Sequence, residues 1–166
     1  MIKVAIITLS DKGSRGERVD KTGEILKDFI NKHEAYEVGY YKMLPDDYGA
    51  IREELMLLAD SGLADLIITN GGTGLSKRDV TPEATLSVIE REVQGVAEYM
   101  RHKSFEITPK AMLSRARCGI RKNAVILNLP GSPKGALENL SFVIDSLVHG
   151  IEILKGEATE CAVPMK

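Results

Sequence analysis

The sequence predicts an α/β protein of three layers, α/β/α, around a mainly parallel (mixed) sheet. Three observations carry that expectation. Short apolar, β-branched runs recur at residues 3–9, 36–44, 65–69 and 124–129, and runs of this length bounded by turn residues read as strands. The stretches between them place apolar residues at helical spacing. The 166 residues hold no repeat of fixed period and no Pro/Gly/Ser linker, so one domain over residues 1–166 is expected. Alternating strands and helices imply right-handed crossovers and a sheet covered on both faces.

The first strand, KVAIITL, stops at Ser10-Asp11. Residues 21–33 then put Ile25, Leu26, Phe29 and Ile30 on one helical stripe with charges opposite. The second strand ends at Pro45-Asp46-Asp47, and Ile51, Leu55 and Leu58 mark a helix over residues 47–61 that Gly62 stops. The third strand runs into Asn70-Gly71-Gly72. Thr81-Pro82-Glu83 reads as a helix start, with a Thr cap, Pro at the first position and an acid at the positive end of the dipole. That helix is expected to reach about residue 91, with another over residues 96–103. The fourth strand ends at Pro130-Gly131-Ser132-Pro133. In the final helix, residues 133–155, Leu137, Leu140, Ile144, Leu147, Ile151 and Leu154 form one continuous stripe. Residues 156–166 have no period and are expected to form an edge element or a docked extension.

Composition narrows the function. With 43% hydrophobic and 28% charged residues, the chain is neither disordered nor membrane-embedded. No apolar run approaches the ~18–20 residues a bilayer demands, and residues 4–9 are too short for a signal-peptide core. A cytoplasmic location is expected. A net charge of −2 and the lack of Trp argue against nucleic acid as a partner. Cys118 and Cys161 make neither a disulfide framework nor a metal knuckle, and are expected to be free thiols. His33, His102 and His149 lack the spacing of a ligand set.

Chemistry is expected at the loops that leave the carboxyl ends of the strands. These carry Ser10 and Asp11, then Asp46 and Asp47, then Gly71, Gly72, Thr73 and Gly74, then Pro130, Gly131 and Ser132. Open α/β sheets bind ligands outside these ends, and small residues let backbone N–H groups approach an anion closely. Each loop also has an ordinary structural reading. The Gly-rich segment is neither a P-loop nor a dinucleotide fingerprint, and a plain turn would suffice for it. Capping explains one of Asp46 and Asp47, a surface ion pair explains Asp79, which lies between Arg78 and the Thr81 cap, and Ser132-Pro133 is a helix start. Taken jointly, carboxylates and Gly loops on one sheet edge favour a Mg²⁺–phosphate site. Residues 101–122 hold seven Lys or Arg against one acid, Glu106, a net +6. That run is either a solvated face or a basic wall for an anionic substrate.

At these residues the chain resembles a known family. The strings TNGGTG at residues 69–74 and RDVTPEAT at residues 78–85 are similar to the signature of the MogA/MoaB family of molybdenum-cofactor biosynthesis. Residues 107–115, 119–121 and 127–134 are similar to the MogA branch and to gephyrin-type G domains. The resemblance spans residues 3–155 and implies the molybdenum-cofactor biosynthesis protein fold. It also implies transfer of AMP from Mg-ATP to the terminal phosphate of molybdopterin, releasing pyrophosphate. A homotrimer and a downstream molybdenum-insertase (MoeA-like) partner follow from it, with no membrane or nucleic acid involved. The family's two critical aspartates map onto Asp46 and Asp79, as catalytic and Mg²⁺-binding groups. Its pterin-holding serines map onto Ser104 and Ser114, with Arg115 beside them in the basic stretch. A MoaB-like relative of weak activity, or a non-catalytic molybdopterin-binding scaffold, is the alternative.

Overall fold

A computed structural model describes residues 1–157, so the expectations for Cys161 and for most of residues 156–166 lie outside the described residues. Six strands form one sheet in the order β2-β1-β3-β6-β5-β4. They are β1 (Ile2–Leu9), β2 (Tyr36–Leu44), β3 (Leu66–Asn70), β4 (Arg91–Glu92), β5 (Cys118–Arg121) and β6 (Ala124–Leu129). The β2/β1, β1/β3 and β3/β6 pairs are parallel, whereas β5 pairs antiparallel with both β6 and β4. The sheet is therefore mixed, as expected, with its parallel part in the four strands legible from sequence.

Alternation along the strands divides the core in two. Ile2, Val4 and Ile6 of β1 face a cluster with Leu66 and Ile68 of β3, covered by helices α2 (Lys21–Asn31), α5 (Gln94–Phe105) and α6 (Pro133–Lys155). Ala5, Ile7 and Leu9 face the opposite cluster, covered by α3 (Tyr48–Asp60) and α4 (Thr81–Leu86). β-strands send successive side chains to opposite faces, so two helical layers are needed to bury both. Three layers result.

The second half departs from expectation in two places. α4 ends at Leu86 rather than near residue 91, because Arg91 and Glu92 pair with Ile120 and Gly119 as a sheet edge. Thr81 does not cap α4: the cap position is Val80, and the Thr81 hydroxyl instead donates to the Gly71 carbonyl at 2.9 Å. A 3₁₀ turn at Pro109–Leu113 and the short helix α1 (Asp11–Ser14) complete the elements. Cys118 is buried in β5 as a free thiol, and burial pushes its pKa up to about 12, which makes it unreactive. No helix among the described residues is long and apolar enough to cross a membrane.

Candidate functional site

β1 connects to β2 on one side of the sheet and, through β2, to β3 on the other. The chain reverses direction across the sheet at the β1/β3 boundary, where an open α/β sheet forms its crevice. A cleft of about 870 Å³ opens there. Its walls come from all four strand tips: Ser10 after β1, Asp46 after β2, Asn70, Gly71 and Gly72 at β3, and Gly131 and Ser132 after β6. Asp79, from the loop beyond β3, shares the same cleft.

The Gly-rich turn is built by close backbone approach. Gly71 and Gly72 have φ of 106° and 66°, in the left-handed region that favours glycine. A Cβ on Gly71 would come within 2.5 Å of the Leu9 carbonyl oxygen, and one on Gly72 would overlap the Thr81 hydroxyl and reach 3.1 Å from Asp46 Oδ1. Gly131 packs against Gly71, its Cβ position lying 3.2 Å from Gly71 Cα. The turn has no room for side chains, and its backbone faces the cleft. Thr81 pins it, its hydroxyl and N–H donating to the carbonyls of Gly71 and Gly72.

Asp46 and Asp47 divide the two roles that either could have filled. Asp47 caps α3, its Oδ1 accepting from the Ala50 N–H at 2.8 Å. Asp46 is left to face the cleft. Its carboxyl is pushed above the ordinary aspartate value by burial first, then by the neighbouring negative charges of Asp11 and Asp79, against the Asp11 N–H that lowers it. Asp11 and Asp46 exchange bonds: the Asp11 N–H donates to Asp46 Oδ2 at 3.2 Å, and the Asp46 N–H donates to Asp11 Oδ1 at 3.0 Å. Arg78 clamps the Asp11 carboxylate through Nε at 3.0 Å and Nη2 at 2.8 Å. That guanidinium holds Asp11 below the usual carboxylate range. Asp79 makes no ion pair among the described residues; its Oδ2 accepts from the Ser76 N–H at 3.0 Å.

The remaining candidates fall in different places. Ser10 caps α1 and Ser132 caps α6, and both still line the cleft. Thr73 is buried, Gly74 lies against the Asp79 carboxylate, and Pro130 lies against Gly135. Ser104, Ser114 and Arg115 are not in the cleft lining. Ser104 is buried between α5 and α6 and bonds to Asn139 at 3.2 Å. Ser114 closes the 3₁₀ turn. Arg115 braces the 73–83 segment: Nε donates to the Gly74 carbonyl at 2.8 Å, Nη2 to the Asp79 carbonyl at 2.7 Å, and Nη1 pairs with Glu83.

The basic stretch does not form a wall. Arg117 pairs with Glu92, Arg121 with Asp60, Lys103 with Glu106 and Lys122 with Glu90, while Arg101 donates to the Ala116 carbonyl. Four of its cations, Arg115, Arg117, Arg121 and Lys122, are met by acids that lie elsewhere in sequence. None of its residues lines the cleft.

Sequence reasoning missed a further part of the cleft wall, which residues 17–22 build together with Thr8 and Asn70. Asp20 was readable as a helix cap, and its Oδ1 does accept from the Gly23 N–H at 2.9 Å. Its second oxygen accepts from the hydroxyls of Thr8 at 2.5 Å and Tyr41 at 2.6 Å. Those partners depend on strand pairing, which the local sequence does not reveal. The Thr22 hydroxyl ties this wall to the last loop by donating to the Gly131 carbonyl at 2.8 Å.

Comparison with known proteins shows the family. Residues 5–149 match the family described as "Probable molybdopterin binding domain". The chain is 37% identical to a molybdopterin adenylyltransferase of Escherichia coli, over 97% of this chain and 89% of that protein. It is 33% identical to one of Helicobacter pylori, over 93% and 89%. A crystal structure of the molybdopterin biosynthesis enzyme MoaB from Thermus thermophilus superposes with a TM-score of 0.89 at 46% identity, covering 96% of this chain and all of that one.

Proposed function

The chain belongs to the molybdopterin-binding domain family, and from that premise we propose that it is a molybdopterin adenylyltransferase. The reaction transfers AMP from ATP to the terminal phosphate of molybdopterin, with release of pyrophosphate, in molybdenum cofactor biosynthesis. One observation carries this reading: Asp46, Asp79 and the Gly71-Gly72 turn line a single cleft at the strand tips. Two polyanions must meet in line there, so the protein's task is positioning and charge control. The backbone of the glycine turn and the capped starts of α1 and α6 offer N–H groups to phosphate oxygens. No general base is required, because a phosphate monoester is already ionised at neutral pH.

The donor set suits Mg²⁺. No group of three or more His, Cys, Asp or Glu that could hold a metal exists among the described residues. Asp46 and Asp79 alone fit an ion that takes one or two carboxylates and completes its shell with phosphates and water. The strain on Asp46, a partly buried carboxyl facing two other acids, is relieved by a cation at that point. When bound with nucleotide, Mg²⁺ supplies neutralisation of the phosphate charge and of the departing pyrophosphate. Asp11 and Arg78 hold Asp46 in place from outside the cleft.

A homotrimer, ATP as the AMP donor and delivery of the product to a molybdenum insertase complete the proposal. The 46% identity to a protein named MoaB favours a second reading, a MoaB-like relative of low activity on the same cleft. One assay separates the two. Purified protein with molybdopterin and Mg-ATP is expected to yield adenylylated pterin and pyrophosphate, and Asp46→Ala to yield none. Pterin binding without turnover would replace this reading with the weak or non-catalytic one.

A further inference from the structure

A chain of hydrogen bonds fixes which end of one amide faces the cleft. Asp20 Oδ2 is an acceptor, so the Thr8 hydroxyl, 2.5 Å away, must donate to it. With its proton so committed, Thr8 Oγ1 can only accept, and Asn70 Nδ2 donates to it at 2.9 Å. Tyr41 donates to the same Asp20 oxygen at 2.6 Å. The order of donors leaves no freedom at Asn70: its NH₂ faces Thr8, so its carbonyl faces away. Asn70 is 1% exposed, and its Oδ1 receives no hydrogen bond among the described residues. Among the described residues no fully enclosed side-chain oxygen or nitrogen lacks a partner, so Oδ1 is not sealed in, and the cleft that Asn70 lines is where it opens. Buried carbonyls are normally paired, and among the described residues no protein donor pairs this one, which leaves its lone pairs to a donor from the cleft.

We propose that Asn70 Oδ1, oriented by Thr8 and Asp20, is a specificity-determining acceptor for an N–H of a substrate heterocycle. Phosphate is excluded from that point, since an ionised phosphate oxygen facing a carbonyl oxygen is repelled. The floor of the cleft is thereby divided: anions belong at the Gly71-Gly72 backbone, and a nitrogen heterocycle edge belongs at Asn70. The proposal rests on the adenylyltransferase reading for the identity of its two ligands. Both carry suitable donors, the amine and ring N–H of the pterin and the exocyclic amine of adenine.

Equilibrium binding of molybdopterin, Mg-ATP and Mg-ITP to wild type, Asn70→Leu, Thr8→Val and Thr8→Ser decides among them. Asn70→Leu and Thr8→Val are each expected to weaken one heterocycle about tenfold, the size of one lost hydrogen bond. Thr8→Ser, which keeps the hydroxyl, is expected to bind as wild type. Weaker molybdopterin binding with ATP unchanged assigns the pterin edge. Weaker ATP binding, with loss of a wild-type preference for ATP over ITP, assigns the adenine edge. Unchanged affinity for both ligands overturns the proposal. Should wild type bind neither, the adenylyltransferase reading fails, and the orientation is read separately. Side-chain amide hydrogen exchange in ¹⁵N-labelled protein is expected to show Asn70 NH₂ protected in wild type and unprotected in Thr8→Val; equal exchange in both overturns it.

Discussion

The strand-tip loops and the basic stretch of residues 101–122 both invite a functional reading in the sequence, and the structure treats them oppositely. Four loops separated by 24 to 60 residues of chain converge on one cleft. Cations crowded within 22 residues disperse to acids on β4, α3 and elsewhere. The difference has a physical origin. Parallel strands must deliver their carboxyl ends to one edge of the sheet, so topology alone gathers the loops. A run of charges carries no such constraint, and its cations pair with whichever acceptors the fold brings near. Topology is a better guide to a site than local charge density.

Substitutions can break that contrast, and the largest effect is expected at the cleft carboxylates. Asp46→Ala should lower the AMP-transfer rate by about 10²-fold or more, the scale of losing a preorganised electrostatic contact. Gly72→Ala comes next. Its Cβ would overlap the Thr81 hydroxyl at a positive φ, so a loss of about 1–3 kcal/mol in stability by denaturant titration is expected, together with reduced activity. Arg115→Ala removes a brace rather than a ligand contact. It should lower thermal stability and the turnover rate together, in contrast with Arg117→Ala. Arg117 is part of the dispersed basic stretch, and its loss should change the KM for either substrate less than about twofold, since an exposed ion pair contributes ~0–1 kcal/mol. A basic wall would instead raise that KM steeply at low ionic strength.

The smallest effect sharpens the comparison through pH. Asp46 holds its proton more tightly in the folded state than unfolded. Its ionisation therefore destabilises the fold, with the penalty absent below the unfolded pKa, growing as pH rises and complete above the folded pKa. Asp46→Asn should accordingly be slightly more stable than wild type at neutral pH, by under about 1 kcal/mol since the group is partly solvated. The gain should vanish as pH falls below the ordinary aspartate range. Thermal melts at several pH values measure it directly. A carboxylate kept at a cost to stability is what a functional site predicts.

The buried parallel strands were legible because their apolar runs do not depend on neighbours. β5 and β4 were not: CGIR is short and half polar, and the two residues of β4 become a strand only by pairing with Ile120 and Gly119. In the site, Asp46, Asp79, Ser10 and the glycines were readable because loops after parallel strands have a fixed destination. The Thr8–Asp20–Asn70 relay was hidden, since it joins residues on two strands and a loop through side chains alone. Thr81 is the instructive miss. Its sequence context spells a helix cap, yet its hydroxyl holds the glycine turn, a contact ten residues away.

The most direct test is the AMP-transfer rate as a function of Mg²⁺ concentration for wild type and Asp79→Asn. If paired carboxylates manage phosphate charge in this cleft, the variant's curve shifts to higher Mg²⁺ and plateaus well below wild type. Superimposable curves would mean that Asp79 does no such work, and would contradict the account.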